Sequence, residues 1–139
     1  MYLLDTNVLS ALRKLSPDHR LVHWLGAQDP QDPQDTFIST ITVMEIERGI
    51  QKKRRVDTRF ANKLEAWLLD NIAAYGDRVL PITTAISRRW GRLQIELRRA
   101  DTDIPIAATA LEHNLTVVTR NVRHFDKTGA AILNPFDSP

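Results

Sequence analysis

A few acidic and amide residues stand where a strand has just ended or a helix is about to begin. Asp5 follows the apolar run Tyr2, Leu3 and Leu4 directly, with no turn glycine between and no basic neighbour before Arg13. A carboxylate at the mouth of a buried strand is costly unless its charge is compensated. Asp5 therefore either caps the next helix or holds a cation. Glu45 falls one turn into the helix expected after TFIS (36–39), and three residues after Thr42 it also matches a capping box. Glu47 is its rival, being nearer the stripe of Val43, Ile46 and Ile50. Asp101 and Asp103 open a later helix, and Asp103 before Ile104 and Pro105 is also a good helix start. Asn121 comes after LTVVT (115–119) and Arg120. Each could be a cap. Taken together they are carboxylates from distant parts of the chain at three strand ends, where open parallel sheets bind ligands. Like charges so gathered repel unless a cation sits between them. Magnesium and manganese suit such all-oxygen sites, keep several waters and accept phosphate oxygens.

The elements that must position these residues alternate between strand and helix. The strand at 2–4 leads to a helix over about 7–14 and a helical stretch over about 18–28. QDPQDPQD (28–35) is a short repeat of turn formers and reads as a surface loop. After the strand at 36–39 come helices over about 42–51 and 56–73, the second with Phe60, Leu64, Leu68 and Ile72 on one face. A strand at 78–82 precedes a helix bearing Ile86, Trp90, Leu93 and Leu97. Then follow a helix over about 104–113, a strand at 115–119, a brief helix over 121–125 and a last strand at 130–133. The alternation predicts an α/β fold, a central parallel sheet of about five short strands covered by helices on both sides. No linker divides the chain, so 1–139 is expected to be one domain.

Composition narrows the class. The chain has 139 residues, 42% hydrophobic and 26% charged, which fits one domain with one good core. No run of about 18 apolar residues predicts a membrane span, and the first strand at Tyr2 leaves no room for a targeting peptide. The absence of cysteine excludes disulfides and thiolate metal sites and fits a reducing cytoplasm. The 19 Lys and Arg outnumber the 17 Asp and Glu only slightly, but they cluster at 52–55, at Arg88, Arg89, Arg92, Arg98 and Arg99, and at Arg120 and Arg123. Such clusters are either solvated helix faces or a footprint for an anionic polymer.

LLDTNVLS, ISTITVMEI and ADTDIPIAATALEHNLTVVTRN resemble the motifs of PIN-domain ribonucleases of the VapC toxin type, and the match runs from Tyr2 to the closing AILNPF. The resemblance implies a magnesium- or manganese-dependent endoribonuclease that uses water as nucleophile. It assigns metal binding and catalysis to Asp5, Glu45 and Asp103, and so prefers Glu45 to Glu47. It places Asn121 where such proteins often have a fourth acidic or amide residue, and His124 where a further Asp is common. Arg120, Arg88 and Arg92 become candidates for gripping the RNA backbone, with Thr6, beside Asn7, in a supporting role. Also implied are a toxin silenced by an antitoxin whose C-terminal segment covers the acidic site, a homodimer and a cytoplasmic location. A haloacid-dehalogenase-like phosphatase would want an Asp at position 7, where Asn7 stands. A phospho-receiver would want a phosphoacceptor Asp after the third strand, and VLPIT has none. The alternative from another class is a catalytically weak RNA-binding or regulatory PIN module.

Overall fold

The computed structural model describes residues 1–14, 16–27 and 35–137. Its strands are β1 (Tyr2–Leu4), β2 (Thr36–Ser39), β3 (Val79–Leu80), β4 (Thr116–Val118) and β5 (Ile132–Leu133). They pair in parallel in the order β3-β2-β1-β4-β5. Successive side chains of a strand leave opposite faces, and the core divides accordingly. Leu3 and Val117 pack with Ile106, Ala107, Ala110 and Phe125 on one face. Leu4, Ile38 and Val118 pack with Val8, Leu9, Leu21 and Trp24 on the other.

Helices α1 (Thr6–Ala11) and α2 (His19–Ala27) supply the second layer; α6 (Asp103–His113) and α7 (Val122–Phe125) supply the first. α6 is buried continuously from Ile104 to Ala110, which explains the nearly unbroken apolar run IPIAATA. The stripe Ile86, Trp90, Leu93 and Leu97 of α5 (Thr84–Leu97) covers its flank at Ile104 and Ala108. α3 (Thr40–Arg54) and α4 (Thr58–Tyr75) pair through Ile46, Ile50, Ala61, Leu64, Trp67, Leu68 and Ile72. The α/β sheet with helices on both faces is the one the alternation called for. Because β1 leads outward to β2 on one side and borders β4 on the other, the strand order reverses between β1 and β4. A crevice opens beyond the strand ends at such a switch point, and Asp5 and Thr119 are the residues that follow those two strands.

Several boundaries differ from the sequence expectation. The strand expected at 78–82 is only Val79–Leu80: Pro81 has no N–H to continue the ladder, and Arg78 is drawn into a 3-10 turn (Gly76–Arg78). There it donates to the Thr36 carbonyl at 2.7 Å. α3 starts at Thr40, because Ser39 Oγ accepts the Ile41 N–H at 3.0 Å and serves as the cap. Thr42 is thus buried inside the helix, and the capping box with Glu45 does not form. α4 begins after Asp57, whose carboxylate accepts the Phe60 N–H at 3.0 Å. Positions 28–34 of the proposed surface loop lie outside the described residues.

Candidate active site

Asp5 does cap α1, accepting the Thr6 N–H at 2.8 Å on Oδ1. Its Oδ2 accepts from the Thr119 hydroxyl at 2.8 Å and the Asn7 side-chain amide at 3.1 Å. Every one of these donors is neutral, and Asp5 is only 3% exposed. Burial raises its pKa from 3.8 to about 6, against the pull of the Thr119 and Thr6 hydrogen bonds; the charges of Asp103 and Glu45 add to the rise. A cap alone needs no such burden. Exposed caps such as Asp57 do the same work in water.

Glu45 is held from two sides. Thr6 Oγ1 donates to Oε1 at 2.7 Å and Thr102 Oγ1 to Oε2 at 2.9 Å, while the Arg48 guanidinium stands 4.0 Å away. Thr6 gives its single proton to Glu45, so the 2.9 Å contact between the Thr6 and Thr42 hydroxyls has Thr42 as donor. The chain of hydroxyls joins α1, α3 and the start of α6. Glu47 is exposed to solvent, so of the two rivals only Glu45 faces the crevice.

Asp103 is the first residue of α6, and Thr102, in the cap position, makes no cap hydrogen bond because its hydroxyl is on Glu45. The expected capping role of Asp103 is therefore not what it does. Its Oδ2 meets His124 Nδ1 at 2.7 Å. Burial pushes its pKa up, His124 opposes this, and Asp101 and Glu45 add repulsion. Asp101 is engaged separately, by Arg99 at 2.9 Å.

The three expected acids are thus brought to one crevice, where the charges of Asp103 and Glu45 bear on Asp5 and that of Glu45 on Asp103. Each is nonetheless held by its own donors. Among the described residues no three His, Asp or Glu side chains are grouped closely enough to hold a metal ion as they stand. Their chemistry still fits a hard divalent cation: the donors are carboxylate oxygens, and the most buried of them, Asp5, has no cationic side chain among its hydrogen-bond partners.

Around these acids, Asn121 is exposed at the crevice rim, with its backbone N–H on Thr119 Oγ1 at 2.9 Å. Arg120 lays its guanidinium over the Phe136 ring, 3.9 Å from the centroid. It lines a cleft of about 430 Å³ with Asn121, Arg123 and His124. An adjoining cleft of about 630 Å³ is bordered by Asp103, His124, Arg99, Arg123 and Lys127. Arg88 and Arg92 lie exposed on α5 and border neither cleft; Arg89 between them pairs with Glu112 at 2.8 Å. Sequence reasoning missed the hydroxyls of Thr42 and Thr102 and the cation Lys127. The one signal available for Thr102 was its place between two acids in D-T-D.

The PIN domain family model matches residues 2–131. The chain is 36% identical to the VapC ribonuclease Y4jK of Sinorhizobium fredii, over 99% of both sequences. It is 32% identical to Toxin FitB of Neisseria gonorrhoeae, covering 98% of this chain and 99% of that protein. The fold superposes on the crystal structure of FitAcB from Neisseria gonorrhoeae with a TM-score of 0.85 and 30% identity, over 99% of this chain and 100% of that one. Strand order, crevice and sequence agree: the chain belongs to the PIN-domain family, with VapC-type toxins among its relatives.

Proposed function

We propose that this chain, 1–139 as one PIN domain, is an endoribonuclease toxin that hydrolyses RNA phosphodiester bonds with Mg2+ or Mn2+ and is silenced by a cognate antitoxin. The observation that carries the metal reading is Asp5, buried at the switch point, ringed by neutral donors and repelled by Asp103 and Glu45. Asp5, Asp103 and Glu45 would hold the ion, directly or through water. When bound, a divalent cation offsets the phosphate charge and acidifies water.

The residues supply orientation. Thr119 and Asn7 fix the Asp5 carboxylate, and Thr6 and Thr102 fix both oxygens of Glu45. Glu45, if it meets the ion through water, would help orient the attacking water, with Arg48 and the two threonine hydroxyls holding its carboxylate in place. Asn121 and Arg120 at the rim would meet the RNA, as would Arg123 and Lys127, which border the cleft beside Asp103. Arg88 and Arg92 would meet RNA farther from the cut.

A third groove supports the antitoxin reading. It holds about 290 Å³ between α1, α3 and α4, lined by Ile46, Phe60, Leu64 and Trp67 together with the cations Arg13 and Lys53, and Thr6 and Glu45 also border it. An antitoxin segment with apolar side chains lying there would contact Glu45. A second copy of the chain would cover apolar side chains such as Ile95, 82% exposed on α5. No described helix is long and apolar enough to cross a membrane; a cysteine-free RNA-cutting enzyme would work in the cytoplasm. Purified protein should cleave RNA with Mn2+ or Mg2+ and not with EDTA, and Asp5→Asn or Asp103→Asn should abolish cleavage while the RNA still binds. Cleavage that survives EDTA, or either substitution, would overturn the proposal.

A further inference from the structure

The link between α5 and α6 reverses sharply. α5 closes on Arg98 in the left-handed region, at φ 54° and ψ 44°, a strained conformation for a residue other than glycine or asparagine. The reversal turns Arg99 back over the segment that opens α6. Its Nε and Nη2 each donate to one oxygen of Asp101 at 2.9 Å, and its Nη1 donates to the His124 carbonyl at 2.8 Å. Asp101 Oδ1 also accepts the Asp103 backbone N–H at 3.2 Å. A single planar guanidinium thereby joins the 101–103 turn to α7, the two segments whose side chains meet as Asp103 and His124. Its side chain is 29% exposed, so part of its surface is committed to this contact.

We propose that Arg99, acting through Asp101, is a positioning residue that sets how far Asp103 stands from α7 and so preorganises Asp103 for a divalent cation. The inference rests on the metal reading above. Arg99 bonds neither to Asp103 nor to any other proposed ligand side chain. Outer-shell groups of this kind typically change metal affinity by about 10–100-fold when removed.

Manganese binding by calorimetry separates positioning from plain charge. Arg99 is a cation within the field of Asp103. If charge alone mattered, Arg99→Gln would bind Mn2+ more tightly and Asp101→Asn more weakly. If positioning dominates, both should bind about tenfold more weakly than the parent, with Arg99→Lys falling between, since an ammonium lacks the fork. In the metal-free protein, Arg99→Gln should speed amide hydrogen exchange at 101–103 and 122–125 together while leaving the sheet protected. Arg99→Gln binding manganese as tightly as the parent, or exchanging at the parent's rate in those segments, overturns the inference alone. A parent that binds manganese no better than Asp5→Asn overturns the metal reading, and this inference with it.

Discussion

Asp5 has a structural and a chemical task at once, and pH tells them apart. Its pKa is 3.8 in an unfolded chain and about 6 in the fold. Below pH ~3 the group is protonated in both states and costs nothing. Between about pH 4 and 6 the unfolded chain ionises it while the fold still holds the proton, so the metal-free fold loses stability across that window, on the order of 3 kcal/mol relative to acid once pH is above about 6. Asp5→Asn abolishes that loss, and the Thr119 hydroxyl and the Asn7 amide can both rotate to accept from the new NH2. We expect the metal-free variant to be more stable than the parent by about 1–3 kcal/mol at pH 7.5 and no more stable at pH 3, as read by urea melts. A variant that is less stable at both pH values would leave Asp5 with only its capping task.

At the scale of elements, α5 and the region of α7 carry basic residues at different distances from the acids. The Arg89–Glu112 pair ties the middle of α5 to the end of α6. That end lies about 13 Å along the helix from Asp103, at 1.5 Å per residue. Arg123 and Lys127, on and just beyond α7, border the cleft beside Asp103 instead. In the Asp5→Asn background, where RNA is bound but not cut, Arg123→Ala with Lys127→Ala should lower the slope of log K against log salt by roughly 0.7 for each phosphate no longer neutralised. That reduction should appear even for an RNA of a few nucleotides. Arg88→Ala with Arg92→Ala should lower it only for longer RNA that reaches along α5. Equal effects of the two pairs on short RNA would show that the cleft does not select where the backbone enters.

For the whole molecule, metal binding and stability are one linked quantity. An ion bound by the folded state alone stabilises it by RT ln(1 + [L]/Kd), about 2.7 kcal/mol at a hundredfold excess over Kd. Thermal melts with and without manganese should show a modest rise for the parent. Asn121→Asp adds a carboxylate at the rim beside Thr119, so it should melt lower without metal and rise further with it, while Asp5→Asn should rise little. If all three proteins respond equally, the ion is binding outside this crevice.

Local signals in the chain were enough for much of this. Alternating apolar runs determined a parallel α/β sheet, because strand and helix periods are written in consecutive residues. The positions of Asp5 and Asp103 after a strand and before a helix singled them out, and the resemblance separated Glu45 from Glu47. Tertiary structure alone decided the strand order that opens the crevice between β1 and β4. It also decided that Ser39, not Thr42, caps α3, which frees Thr42 to join Thr6 and Glu45 in the hydroxyl chain. Thr102 and Glu45 lie 57 residues apart, and Thr119 and Asp5 114 apart. Uncharged threonines have no period that marks them, and a hydroxyl finds its carboxylate only when packing sets the helix ends side by side.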